Sequence, residues 1–328
     1  MALALNDIQE LKNRVTGGGD ITYEEAIRLM EVDEISGLDE LLKAAHEITR
    51  TFHSTKAGLC SLINAKSYLC GEDCGFCAQS VRFETSAARY ELLEPEVIVE
   101  AAKKAELQGA QNFCIVTSGG ALTDDEFERI LGVVKQLTRE THLGVDGSLG
   151  FLTPRRVERL KAAGLRRFNS NLQSSREYYP QVVSTHSYDK RVETLRHLRE
   201  GGLELCSGGI LGMGESREDR IKMAFELKQF HPECLPINIL NPRPGTPLEN
   251  APSIPSSEIL RTVAVYRFIL PKSNIKLAGG RELNLSTEEQ ERALQGGANG
   301  LIVGGYLTTG GNPVARDLEM LRRVGYNT

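Results

Sequence analysis

The chain has 328 residues, of which 25% are charged and 40% hydrophobic, and a formal net charge of −5. That length holds one large domain or two ordinary ones and buries a sizeable core either way. Lysines and arginines are interspersed with a slight excess of acids, so no basic field makes nucleic acid the main partner. No apolar run approaches the roughly 20 residues that span a bilayer. The start "MALALNDIQELKNRV" lacks the charged n-region of a secretory signal. The expectation is a soluble, cytoplasmic protein with no membrane partner.

Residues 1–50 read as an N-terminal helical extension. In "TYEEAIRLMEV" apolar positions recur at helical spacing, and Thr22 stands as N-cap with Glu25 three residues on. From residue 51 to 328 short apolar runs alternate with amphipathic segments. The runs expected as strands are residues 59–65, 112–118, 143–148, 166–172, 203–211, 236–240, 274–279 and 300–305. Helices fit between them, such as "PEVIVEAAKKAELQGA", with Pro95 in its first turn and Gly109 near its end. Eight strands alternating with helices imply parallel βαβ units and a complete (β/α)8 TIM-type barrel, although a doubly wound open sheet gives the same alternation. The proline-rich "NPRPGTPLENAPSIPSSE" reads as a loop after the sixth strand. The motifs "TSGG", "DGS", "NSN", "GILGMGE", "NPRPG", "AGGRE" and "GGYLTTGG" all fall at strand C-terminal ends, the face where barrel active sites are built.

Seven cysteines, at 60, 70, 74, 77, 114, 206 and 234, make an odd set outside a secretory context. There, metal binding or catalysis is a commoner role than disulfide formation. "CGEDCGFCAQS" places Cys70, Cys74 and Cys77 in one loop after the first strand and offers no fourth thiol. Thiolates select zinc or iron–sulfur clusters. Zinc sites usually add a second Cys pair or spaced histidines, and neither is present. Three thiolates on a [4Fe–4S] cluster leave one iron open for a small bidentate ligand.

This C-x3-C-x2-C loop resembles that of the radical S-adenosylmethionine (SAM) enzymes. The resemblance implies that SAM chelates the open iron and is cleaved by one electron to a 5′-deoxyadenosyl radical. Phe76 matches the family position near the adenine. From about residue 50 to the end the resemblance is closer still. "NAKSYLCGEDCGFCAQS", "FNSNLQSS", "CSGGILGMGE", "PINIL", "GTPL", "AGGRE", "GGANG" and "LTTGGNP", in this order, are similar to the biotin synthases. That family implies sulfur insertion into dethiobiotin, a second, auxiliary iron–sulfur cluster inside the barrel, and a homodimer. A flavodoxin or ferredoxin would supply the electrons.

A second cluster is also expected from residue types. Barrel interiors fill with Val, Ile and Leu, yet these strands carry Cys60, Cys114, Asp146, Cys206 and Lys276. Cys114 and Cys206 match two auxiliary-cluster cysteines of the family. Asp146 and Lys276 stand where a third cysteine and an arginine ligand are usual, and are read first as a buried ion pair. Cys60 is offered as the compensating ligand, completing a [2Fe–2S] or larger, four-iron site, and Cys234 as a structural thiol. The family match further implies SAM contacts at Ser118, Gly119, Asn171, Gln173 and Ile210, and substrate contacts at Asn171 and Asn238. Arg281 matches a mouth residue. Other readings stay open: a single-cluster enzyme of the hydrogenase-maturation or methylornithine-synthase type, an electron carrier, or a zinc module.

Overall fold

The computed structural model describes residues 5–33 and 36–327. Three helices come first: α1 (Leu5–Thr16), α2 (Tyr23–Met30) and α3 (Ser36–His53). Strand and helix then alternate: β1 (Gly58–Lys66), α4 (Pro95–Leu107), β2 (Asn112–Thr117), α5 (Asp124–Glu140), β3 (Gly144–Ser148), α6 (Pro154–Ala162) and β4 (Arg167–Asn169). The middle of the chain gives α7 (Tyr188–Glu200), β5 (Glu204–Cys206), β6 (Gly209–Leu211), α8 (Arg217–Phe230) and β7 (Cys234–Ile239). The rest gives α9 (Ser256–Ile269), β8 (Asn274–Leu277), α10 (Arg281–Asn284), α11 (Thr287–Leu294), β9 (Gly300–Ile302) and α12 (Val314–Arg323).

All the strand pairings are parallel, in the order β5-β4-β3-β2-β1-β9-β8-β7-β6, and β5 also pairs with β7. The sheet therefore closes. β5 and β6 are two halves of one stave, interrupted at Ser207 and Gly208, so the barrel has the eight staves expected. The interruption has a steric cause. A Cβ on Gly208 would run into the Pro236 carbonyl oxygen, and one on Gly209 would meet Gln173 and Met223. Only glycine lets this stave press against β7.

The helices are locally encoded. Thr22 caps α2 in the expected box: its hydroxyl accepts from Glu25 N, and the Glu25 carboxylate accepts from Thr22 N at 2.8 Å. Such a cap contributes about 1 kcal/mol. Along β1, β2, β3 and β7 alternate residues face inward, including Cys60 and Leu62, Cys114 and Val116, Asp146 and Ser148, Pro236 and Asn238. The period of two explains why polar chemistry alternates with apolar residues that face the helices.

The N-terminal helices belong to the same packing. α1 lies on α3, α3 on α9, and α2 on α8 and α9. Ile8, Leu29, Leu41 and Ile48 are fully buried there, each stabilising by about 1.5–3 kcal/mol. Arg267 of α9 sits beneath α3 without exposure. It donates to the carbonyls of Gly297 (2.9 Å), Pro271 (2.8 Å) and Ser273 (2.8 Å), and to Asn299 Oδ1 (2.7 Å). At the end of α3, His53 accepts from Arg267 Nη1 at 2.9 Å.

Burial, and then the Arg267 charge, lower the His53 pKa to about 4. The unfolded chain takes up that proton near 6.5, whereas the folded chain refuses it until about 4. Stability contributed by neutral His53 is thus present above pH 6.5 and lost as pH falls through that window, by roughly 3 kcal/mol in all. Denaturant unfolding of wild type and His53→Gln at pH 7 and pH 4.5 checks this. The variant should show the shallower loss; equal slopes would refute it.

Candidate active site

The loop from β1 to α4 carries Cys70, Cys74 and Cys77, and its backbone is tied down on three sides. Val81 N donates to the Cys70 carbonyl (2.9 Å), Cys77 N to that of Cys74 (2.9 Å) and Gly75 N to that of Val182 (2.8 Å). Asp73 projects away and accepts from Ser184 N (2.9 Å), Thr185 N (3.1 Å), Thr185 Oγ1 (3.0 Å) and the Ser184 hydroxyl. These donors overcome its partial burial and hold the carboxyl well below the ordinary carboxylate range. The acids of "CGEDC" are therefore anchors, and the cysteines are what the loop presents.

Glu72 is the second anchor. It accepts from His186 Nδ1 at 2.8 Å, and His186 Nε2 receives Tyr179 Oη (2.7 Å) and Arg191 Nη2 (3.0 Å). Burial first, and then Arg191, lower the His186 pKa, so the ring is neutral with its proton on Nδ1. Arg191 also donates to the Asn171 carbonyl at 3.0 Å. Burial pushes the Cys74 thiol up to about 12, with Arg191 opposing. Left alone, this thiol stays protonated; a metal that binds it must displace the proton.

One cavity of ≈ 430 Å3 opens on the C-terminal face and reaches down the barrel. All three loop cysteines line it, and so do Cys60, Cys114, Cys206, Asp146 and Lys276 at the floor. Phe76, Gly119, Asn171, Gln173, Ile210 and Asn238 line the walls between. The two sets of thiols expected from sequence therefore share one chamber.

At the floor the structure corrects one expectation. Asp146 does not pair with Lys276. Its Oδ2 accepts from Arg167 Nε at 3.0 Å and from Nη2, because β3 and β4 set Asp146 and Arg167 side by side in register, while Lys276 stands on β8 across the barrel. Burial works against the Arg167 charge, and Asp146 more than offsets it; burial likewise lifts the Asp146 carboxyl, with Arg167 opposing. Cys234, expected as a structural thiol, is not part of the cavity lining. It is fully buried beside Cys206, its register partner, and Cys206 S–H donates to it. That hydrogen bond, helped by Lys276 and Arg167, pulls Cys234 below the ordinary thiol range. Burial raises Cys60 to about 11 and carries Cys114 well above its usual value. Burial also opposes the Lys276 charge, but the neighbouring Cys234 and Cys60 outweigh it.

Two further residues sit elsewhere than expected. Ser118 is buried and not part of the cavity lining, and its N–H is spent on the Lys66 carbonyl at 2.9 Å. Arg281 is no mouth residue: it is fully buried on Asp317 (2.5 Å) and donates to Tyr306 Oη (3.0 Å), which does reach the cavity. Glu72, His186, Arg191 and Arg167 went unrecognised in sequence. Only register or long-range packing marks them.

The residues fit the expected groups. Thr117 Oγ1, Asp146 Oδ1 and Gln173 Oε1 are buried cavity-lining atoms without a hydrogen-bond partner, a state that proteins avoid unless a ligand or water completes it. Among the described residues no three His, Cys, Asp or Glu side chains close on a point suited to a single metal ion. The described side chains thus assemble no mononuclear zinc site.

Residues 66–227 match the Radical SAM superfamily, and residues 236–327 the Biotin and Thiamin Synthesis associated domain. Over 312 residues the chain is 46% identical to the biotin synthase of Pelotomaculum thermopropionicum, covering 95% of this chain and 97% of that protein. It is 42% identical over 321 residues to the biotin synthase of Nitrosopumilus maritimus, covering 98% of each. The crystal structure of methylornithine synthase superposes with a TM-score of 0.84 at 21% identity, covering 97% of this chain and 96% of that one, which bears on the fold alone. With its three-thiol loop and full-length likeness to curated relatives, this chain belongs to the biotin synthase family of radical SAM enzymes.

Proposed function

We propose that this chain inserts sulfur into dethiobiotin to give biotin. The observation that carries the reading is the single cavity that joins the Cys70–Cys74–Cys77 loop to the thiols of the barrel floor. Cys70, Cys74 and Cys77 would hold a [4Fe–4S] cluster with SAM, and Cys60, Cys114 and Cys206 an auxiliary cluster. When bound, these groups supply a 5′-deoxyadenosyl radical at the mouth side and sulfur at the floor. A flavodoxin or ferredoxin provides electrons, the active form is a homodimer, and the chain divides near residue 50 into a helical extension and the barrel.

The protein's part is positioning and exclusion, because hydrogen-atom abstraction needs no acid–base pair. Asn238 is held rigid: Nδ2 donates to the Gly209 carbonyl (3.2 Å) and Oδ1 accepts from Gly279 N (3.2 Å). Its second N–H and second lone pair remain for a ureido ring. Asn171 is similarly fixed, its Oδ1 accepting from Gly208 N at 3.1 Å. The free Gln173 Oε1 suits a ribose hydroxyl, held in place by the left-handed backbone at that residue (φ 74°). Phe76 and Ile210 give an adenine its apolar walls. Leu62, Val116 and Ile302 keep water from the chamber.

Iron and sulfide analysis with Mössbauer spectroscopy of anaerobically reconstituted protein tests this, wild type beside the Cys70, Cys74, Cys77→Ala triple variant. The variant should lose about four irons and all SAM cleavage, while the floor cluster remains. No residual iron in a folded variant would leave one cluster and overturn the sulfur-insertion reading. Cys60→Ala should lower the floor cluster's iron content and abolish biotin formation from dethiobiotin. Full biotin formation would remove Cys60 from the ligand set.

A further inference from the structure

Three cations line the cavity: Arg191, Lys276 and Arg243. Arg191 is committed to Tyr179, His186 and the Asn171 carbonyl, and Lys276 lies at the floor among thiols. Arg243 differs. Among the described residues its guanidinium has no hydrogen bond and no ion pair, and it is half-buried in the wall on the loop that follows β7.

That loop is stiff. Pro242 and Pro244 flank Arg243 and restrict the backbone on both sides. The Arg243 carbonyl accepts from Thr246 N (3.1 Å) and Thr246 Oγ1 (2.7 Å). Gly245, at φ 84°, packs so closely on the Glu84 carbonyl that no Cβ fits. An arginine on so fixed a base, lining a cavity and without an ion-pair partner among the described residues, is placed for an anionic ligand.

We propose that Arg243 receives the carboxylate of the substrate, and so selects a free acid over its neutral analogues. The inference rests on the dethiobiotin reading above. In that reading the ureido ring lies deep, against Asn238 and Asn171, with the carbons to be functionalised facing the floor thiols. The acid tail must then run toward the mouth, where Arg243 stands on a strand C-terminal loop. A planar guanidinium matches a carboxylate with two parallel hydrogen bonds. The SAM carboxylate is the other anion in the chamber, and the experiment separates the two.

Binding is measured by equilibrium dialysis on the holoenzyme with both clusters, for wild type, Arg243→Gln and Arg243→Lys, using dethiobiotin, dethiobiotin methyl ester and, separately, SAM. Wild type should bind the acid about tenfold more tightly than the ester, the scale of one charge-assisted pair at a half-buried site. Arg243→Gln should bind the two alike, Arg243→Lys should recover part of the preference, and SAM affinity should not move. An Arg243→Gln protein that still prefers the acid would overturn the assignment. So would one that loses SAM affinity while keeping the preference, since Arg243 would then serve the SAM carboxylate. If wild type binds neither acid nor ester, the dethiobiotin reading itself falls and the inference with it.

Discussion

The barrel closes where its fifth stave meets β7, and that contact rests on the absence of two side chains. At Gly208 and Gly209 any Cβ would collide with Pro236 or Gln173, so the stave would be pushed off β7 and the sheet left open. Closure aligns Cys206 with Cys234, sets Ile210 beside Asn238, and lets Gly208 N hold the Asn171 side chain. A floor thiol pair, the Ile210–Asn238 register pair and the fixed Asn171 side chain thus depend on one stave. An open sheet would have none of them in one chamber.

Closure also concentrates charge. The floor holds Asp146, Arg167 and Lys276 among four thiols, all buried. An isolated buried charge costs several kcal/mol, and breaking a buried pair by removing one partner costs about 3–5 kcal/mol. Asp146 and Arg167 meet that cost together through two hydrogen bonds. Among the described residues Lys276 makes no ion pair there, and the neighbour that can carry the opposing charge is Cys234, which the Cys206 hydrogen bond pulls below the ordinary thiol range. The cations help to lower Cys234, whereas burial raises the Cys60 and Cys114 thiols at the floor just as it raises Cys74 in the loop.

How much of this was legible beforehand depends on the range of the interaction. The staves were legible because each is a short apolar run between amphipathic helical segments. The cysteine loop was legible because its three thiols lie within eight residues, from Cys70 to Cys77. The Thr22 cap is local and was found. Asp146 was recognised as out of place, but its partner is fixed by the register of β3 on β4, which no local pattern encodes. The Cys206–Cys234 pairing was hidden for the same reason, since the two lie on different staves. Arg281 sat in a recognisable motif, yet whether it faced the mouth or Asp317 is a matter of packing.

The fold by itself does not choose among chemistries. Methylornithine synthase shares this barrel at a TM-score of 0.84 with only 21% identity, so backbone geometry is common property. What distinguishes one such enzyme from another must lie in the inward side chains at the floor and mouth. In this chain those positions are unusual for a barrel, because thiols and ions replace the branched aliphatic layer that normally fills it. A core that gives up aliphatic packing loses stability at each site, and here α2 and α3 add apolar burial on α8 and α9, with α1 packed on α3. The polar interior is carried by a barrel whose outer layer is apolar and continuous, and that division lets the floor hold chemistry.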